Sequence, residues 1–407
     1  LVRVLYVIGS LNVGGAERHL SQVVPRLLRN GVSPAIYTIS ARGHLASELE
    51  KAGVPVISPP FSVFFHSLPR LIGGPLLAIS SAFRLFFLMR ASRPDIVHFF
   101  LPQAYVFGAL INLIAGRASS IMSRRSLNNY QNSWPVIARM EKFLHRYLDA
   151  ALGNSQAVLE QLSSEGIELS RLGLIYNGLD LEVFAKASNK KSTRAGLGIA
   201  DDALVLVKVA NLISYKGHSD LLRALSMIKN QLPDNWCLIC VGRDDGIGPK
   251  LRAEADELGI ADNILWLGQR YDTADLYTAS DIGLLVSHEE GFSNSILEGM
   301  AAAVPMIVSD VGGNAEAVAY GKCGVVVPVK DSSSLAREIL SLSGDECFRR
   351  EIGRAGQIRV REFFNIDRCV REYCCLYRSI ASGKKENVQH AIEVAGLESV
   401  PDKWNTF

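Results

Sequence analysis

The 407-residue chain contains no Asp-x-Asp triplet, so it offers no close carboxylate pair of the kind that would carry a metal-bound diphosphate. Cysteine is scarce and unpatterned: there are seven, an odd number, and their spacing fits no zinc motif. Cys237 and Cys240 form a CxxC, but "WCLICVG" is an apolar, strand-like run in which core packing is the expectation. The adjacent Cys374 and Cys375 sit in a helical pattern and make a poor disulfide pair, so free thiols in a reducing cytoplasm are expected. Ahead of the strand-like "VRVLYVIG" there is neither a charged n-region nor a cleavage site, and no signal peptide is expected. Acid is almost missing between Phe61 and Tyr147, where ten basic residues face only Asp95 and Glu141. Within residues 61–94 the longest uncharged run, Leu71 to Phe83, has thirteen residues, too few to span a bilayer.

What is present suits a globular enzyme: 48% hydrophobic and 21% charged residues, 34 glycines and 15 prolines. That balance excludes disordered and fibrous classes. The length exceeds what one hydrophobic core usually covers, so two domains are expected. The formal charge of +2 divides unevenly, +7 over residues 1–180 and −5 over the remainder. No nucleic-acid partner is expected.

Strand-like and helical patterns alternate twice along the chain. "RVLYVIG", "PAIYTIS", "GVPVIS", "DIVHFF", "ASSIMSR" and "AALGNS" read as strands of the first half. "ALVLVKVA", "WCLICVG", "NILWLG", "IGLLVS", "PMIVS" and "GVVVP" read as strands of the second. Runs apolar on both faces belong to parallel sheets covered by helices, an α/β architecture whose sites lie at the carboxyl ends of strands. The expected boundaries are residues 1–178, 179–364, a terminal helix over 365–383 and a loosely held tail over 384–407, where periodicity is weak. In residues 61–94, Phe61, Phe64, Phe65, Phe83, Phe86 and Phe87 are interleaved with Arg70, Arg84, Arg90 and Arg93. Buried core is one reading of that mixture; a helix lying in an anionic membrane surface is the other.

The chemistry concentrates in "EEGFSNSILEGMAAAVPMIVSDVGGNAE", residues 289–316. After the strand "GLLVS" comes a loop and then a helix, and the amides of Gly291, Phe292, Ser293 and Asn294 at its start offer donors to a phosphate. Glu290 stands just before this cradle and Glu298 one turn inside the helix. Carboxylates would repel a bare phosphate but accept hydrogen bonds from hydroxyls on either side of it. Hydroxyls, phosphates and hydroxyls again describe a nucleotide sugar. An acid that merely complements the helix dipole is the alternative. Lys216-Gly217, at a helix start after another strand, adds a cation suited to a diphosphate. Gly14 and Gly15 occupy the loop after the first strand.

Four passages, Leu11–Val24, Tyr176–Phe184, Asn211–Leu225 and Glu290–Glu316, resemble glycosyltransferase family 4, the retaining group 1 transferases of GT-B fold. The resemblance implies two Rossmann-like domains with parallel sheets facing across a cleft. The first would bind the acceptor, the second the nucleotide sugar, and the final helix would cross back to the first. It implies that Glu290 contacts the donor sugar hydroxyls, Glu298 the ribose and Lys216 the diphosphate. It also implies that the Gly14–Gly15 loop faces the diphosphate and that Arg270 lies near the base. Two departures stand out. Asn211 occupies the position where many members carry an arginine, leaving Arg243, Arg270 or an arginine of the first domain to stand in. Where many carry an acceptor-side histidine, the chain reads "IMSRRSLNN", so Arg124, Arg125 and His98 are the acceptor-side candidates.

The implied function is a retaining transferase without metal or other cofactor. It would move a sugar, expected from a UDP-sugar, to a polysaccharide or lipid-linked oligosaccharide in bacterial cell-surface glycan synthesis. Its place would be the cytoplasm or, peripherally, the inner face of the cytoplasmic membrane. A nucleotide-sugar epimerase of the same fold and a non-catalytic sugar-nucleotide-binding subunit are the alternatives.

Overall fold

Runs that are apolar on both faces, such as Val4–Ile8 and Ile96–Phe100, are buried along their whole length, as strands covered by helices on both sides must be. The computed structural model describes residues 1–12, 14–116, 118–383 and 387–393. The chain divides into two units, one made of Leu1–Gly178 together with the chain from Ile366 onward, the other of Leu179–Asn365.

The first unit carries β1 (Val2–Ile8), β2 (Val32–Thr38), β3 (Val56–Ile57), β4 (Ile96–Phe100), β5 (Ser119–Arg124), β6 (Ala150–Gly153) and β7 (Leu172–Leu174). They form one parallel sheet in the order β3-β2-β1-β4-β5-β6-β7. Helix α1 (Gly15–Arg29) covers one face through Leu20, Val24 and Leu27. Helices α2 (Arg70–Ser92), α3 (Pro102–Ala115) and α4 (Pro135–Leu144) cover the other, where Leu85, Met89 and Tyr105 meet Val7, Val97 and Phe99.

Helix α2 extends beyond the thirteen-residue uncharged run Leu71–Phe83. It runs for 23 residues because Arg84 and Arg90 point outward and do not interrupt it. It is the one helix among the described residues long and apolar enough to cross a membrane by length and composition. Only a narrow strip containing Ser81, Leu85 and Met89 is buried, which binds the helix lengthwise to the sheet. Ile72, Leu76, Ile79, Phe83 and Phe87 form an exposed apolar stripe at helical spacing.

The second unit repeats the scheme with β8 (Val205–Val209), β9 (Cys237–Val241), β10 (Ile264–Gly268), β11 (Ile282–Leu285), β12 (Met306–Ser309) and β13 (Val325–Val327). Their order is β10-β9-β8-β11-β12-β13, again parallel. Helix α5 (His218–Ile228) follows β8, and helix α6 (Asn294–Ala301) follows β11. Cys237 and Cys240 lie in β9 as free thiols, pushed up to about 11 and about 12 by burial.

Helix α7 (Ile366–Ala381) returns to the first unit and packs on α1, β1 and β4, setting Val370, Tyr373 and Tyr377 into its core. The expectation of a loose tail over 384–407 needs correction in part. Residues Val388–Glu393 form helix α8, whose Val388, Ala391 and Ile392 are buried beside β7. Gly173 leaves room for them: a Cβ there would lie 2.6 Å from Ile392 and 2.7 Å from Val388. Residues 384–386 and 394–407 of the expected tail lie outside the described residues.

At the end of β5, Arg124 is wholly buried. Its guanidinium donates to Glu141 and, at 2.6 and 2.8 Å, to both oxygens of Glu165. Tyr130 adds a hydrogen bond to Glu141, and His145 one to Glu165. Arg124 is therefore withdrawn from the acceptor-side candidates: it holds loops together inside the unit. Burial opposes the charge of Glu165, yet the hydrogen bonds from His145 and Arg124 hold its carboxyl well below the usual range. This stabilisation is present above the carboxyl's unfolded value and fades as pH falls toward the folded one. Replacing Arg124 by Met would strand two buried carboxylates. We expect a loss of about 3–5 kcal/mol in unfolding free energy, read from urea midpoints at neutral pH.

Candidate functional site

Two loops of the second unit meet at the carboxyl ends of adjacent strands. The first leaves β8 through Asn211 and the single turn Ser214–Lys216 into α5. The second leaves β11 through Ser287, His288 and Glu290 into α6. The His288 amide donates to the Tyr215 carbonyl at 2.7 Å and binds one loop to the other. Lys216 Nζ lies 2.6 Å from Glu290 Oε1, and Ser287 Oγ donates to that same oxygen at 2.8 Å. The two side chains of the pair are only 19% and 10% exposed, so water screens their attraction less than it would a surface pair. Behind them, His288 Nε2 and Asp220 Oδ2 are 2.6 Å apart.

Glycine makes this approach possible at two positions. Gly217 has φ +67°, and a Cβ there would sit 1.8 Å from the Val286 carbonyl oxygen. Gly312 has φ +55°, and its Cβ would sit 1.9 Å from the Glu290 carbonyl oxygen. The neighbouring Gly313 amide donates to Gly291 O at 2.8 Å, so "VGG" supports the Glu290 loop from behind.

Helix α6 starts after Ser293, whose side chain makes no capping hydrogen bond. Its first-turn amides therefore have no intrahelical acceptor. Ser295 Oγ donates to Val209 O at 2.7 Å, fixing the helix start to the end of β8. Glu298 is half-buried one turn inside, near Tyr277, whose hydroxyl is pushed well up, by burial first and by that carboxylate second. The Phe292 ring is buried 5.3 Å from that of Phe364, which leaves this residue its backbone to offer.

The other sequence candidates are dispersed. Asn211 Oδ1 accepts from the Arg243 amide at 3.1 Å, a loop clamp. Arg243 is paired with Asp245 and Arg270 with Asp272, each two residues away. Neither supplies an uncommitted second cation. In the first unit, Gly14 precedes α1 in extended conformation and Gly15 opens it. Arg125 donates to Asn177 Oδ1, and Glu17 in the first turn of α1 lies within its electrostatic reach. His98 is wholly buried, 2.8 Å from Tyr377 Oη and 2.8 Å from Ser123 Oγ. Burial pushes its pKa well down. It belongs to the core beneath α7, which corrects its place among the acceptor-side candidates.

Sequence reading missed Ser287, His288, Asp220 and Lys208. Only Lys208 carries a signal, a single lysine inside the apolar run "VLVKV". Among the described residues, the group with metal-like spacing is Glu141, His145 and Glu165, and the Arg124 guanidinium is bonded to both its carboxylates.

Comparison with known proteins decides the family. Residues 13–183 match the family described as Glycosyltransferase Family 4, and residues 189–359 match Glycosyl transferases group 1. The chain belongs to the group 1 glycosyltransferases of family 4. It is 28% identical over 236 residues to N-acetyl-alpha-D-glucosaminyl L-malate synthase of Bacillus anthracis, covering 56% of this chain and 60% of that protein. It is 25% identical over 399 residues to D-inositol 3-phosphate glycosyltransferase 1 of Catenulispora acidiphila, covering 92% and 93%. It spans about half the length of several other curated relatives it matches, 50% and 54% of two D-inositol 3-phosphate glycosyltransferases. The fold is similar to that of Anabaena Alr3699/HepE, solved with UDP, at a TM-score of 0.79 and 22% identity over 94% of this chain and all of that one. The two Rossmann-like units are those of a GT-B glycosyltransferase.

Substituting Gly217 by Ala would force a Cβ onto the Val286 carbonyl in a left-handed backbone. The expected cost is about 1–3 kcal/mol or more, seen as a lower urea midpoint. Lys216, the adjacent residue, should be displaced with it.

Proposed function

We propose that this glycosyltransferase takes its sugar from a nucleotide sugar, UDP-linked in the first instance, and transfers it with retention and without a metal ion to a polysaccharide or lipid-linked acceptor. The observation that carries the donor half is the Lys216–Glu290 pair beside the uncapped start of α6. Without ligand, the cation and the acid neutralise each other. A diphosphate at the helix start would draw Lys216 toward its oxygens, and the released Glu290 carboxylate would accept from sugar hydroxyls. Glu298, one turn on, is the acceptor for the ribose. Relatives named for UDP and UDP-glucose complexes support the choice of nucleotide.

In the proposed reaction the bond between the anomeric carbon and the phosphate oxygen breaks. The acceptor oxygen bonds to that carbon on the same face, and its proton passes to the departing phosphate. Lys216 and the α6 amides hold the negative charge that builds on the leaving group, a preorganised electrostatic stabilisation. Arg125 is the proposed acceptor-side group of the first unit, suited to an anionic acceptor.

The membrane clause rests on α2, α3 and α4. Their exposed Phe83, Phe87, Ile114, Val136 and Phe143 share one helical layer. Arg84, Arg90, Arg93, Arg139, Lys142 and Arg146 are exposed around it, and no carboxylate pairs with them among the described residues. Asp95 is taken by Arg3, and Glu141 by Arg124. An anionic cytoplasmic membrane face would match both the apolar and the basic character.

Lys216→Ala is expected to weaken donor handling by about 2–5 kcal/mol, and Glu290→Ala to abolish transfer while UDP still binds. Activity assays with radiolabelled UDP-sugars and calorimetry with UDP check both; a fully active Glu290→Ala enzyme would remove that residue from the site. Flotation with phosphatidylglycerol vesicles at low salt tests the membrane clause. The paired change Phe83→Glu and Phe87→Glu is expected to weaken binding by roughly a hundredfold or more, and equal flotation of parent and variant would refute the surface.

A further inference from the structure

Strand β8 lies in the middle of its sheet, between β9 and β11. Its sequence "VLVKV" puts Lys208 opposite Cys240 of β9. Leu204 and Leu206, four and two residues earlier and so on the same face, join the core that includes Leu221 and Leu225 of α5. Lys208 is wholly buried, and its Nζ has no hydrogen-bond partner. The fold gains nothing from a charge left this way, because burying an unpaired ammonium is destabilising and an apolar residue would serve the core better.

The surroundings give the charge a use. From the elements packed around it, Cys240 of β9, Lys216 after β8, Asp220 and His218 of α5, and Glu290 after β11 lie within electrostatic reach of Lys208. No imidazole is hydrogen-bonded to the ammonium, since Lys208 Nζ has no partner among the described residues. Lys216 is already neutralised by Glu290 in the ligand-free protein. A diphosphate diester brings two negative charges. Arg243 and Arg270 are held by their own aspartates, so if Lys216 turns to one phosphate the other has no cation of its own among these residues.

We propose that Lys208 is the second cation of the donor site: a buried ammonium behind the Lys216–Glu290 pair that lacks a counter-charge in the empty protein and is matched by the diphosphate of a bound nucleotide sugar. This rests on the donor-site reading above and adds the residue that balances the second phosphate charge. Lys208 is a positioning residue, acting through a low-dielectric interior that screens its field little.

Burial holds the Lys208 pKa down to about 8. An anion in front of it favours the charged form, so its pKa rises on binding. Nucleotide-sugar binding above pH 8 should therefore draw a proton into the protein, and affinity should fall as pH rises through about 8. The neighbouring Cys240 thiol, pushed up to about 12 by burial, and His218, pushed down to about 2, keep their charge across that window.

The test is calorimetry on the full chain with the tightest binder among UDP-, GDP- and ADP-glucose, whose diphosphates keep the same charge throughout. At pH 8.5, in two buffers of different ionisation enthalpy, the parent should take up roughly half a proton, and at pH 7.0 almost none. Lys208→Met should abolish the uptake and its pH dependence and weaken affinity at pH 7.0 by about ten- to a hundredfold. It should also raise the melting temperature by a few degrees, since an unpaired buried charge has gone. Unchanged affinity in Lys208→Met overturns the proposal, as does absence of proton uptake by the parent, which needs no variant to fold. Either result leaves the donor-site reading standing. A parent that binds none of the three overturns that reading instead.

Discussion

One oxygen of Glu290 accepts hydrogen bonds from both Lys216 and Ser287, and the second unit is arranged around that oxygen. The two strands whose loops deliver these residues, β8 and β11, are neighbours at the centre of the sheet. Their loops can come within hydrogen-bonding distance only because Gly217 presses against Val286 and Gly312 against Glu290. A side chain at either glycine would separate the loops. Close backbone packing is therefore the condition, and the ion pair is what it permits.

The pair also explains how two carboxylates can sit beside a helix start suited to anions without defeating it. Glu290 is neutralised by its lysine, and in the proposed reaction an exchange of partners costs less than desolvating either charge afresh. Asp220 and His288 form a second pair beneath the first.

Much of this was legible in the sequence because it is local. The spacing of Glu290 and Glu298, the Lys-Gly step and the strand–loop–helix rhythm lie within single segments, and their physics follows from backbone direction. What could not be read depended on partners distant in the chain. Arg124 and Arg125 are adjacent, yet one turns inward to Glu141 and Glu165 while the other reaches Asn177. Nothing near "SRRS" distinguishes them, since alternate strand residues face opposite ways and the deciding acids lie up to 41 residues away. His98 was misplaced for the same reason: its partner Tyr377 is 279 residues further on. The buried part of the tail was missed because a single turn carrying Val388, Ala391 and Ile392 is too short for periodicity to register.

The return of α7 to the first unit bears on how the protein is made. Tyr6, His98 and Tyr377 form a continuous hydrogen-bonded chain, and Tyr377 is synthesised only after all of the second unit. The nascent first unit therefore lacks the residues that cover this flank until the whole of the second unit has been synthesised. Order of synthesis and order of completion are thus reversed in this chain, and its first 178 residues alone would be a folding intermediate with an open flank.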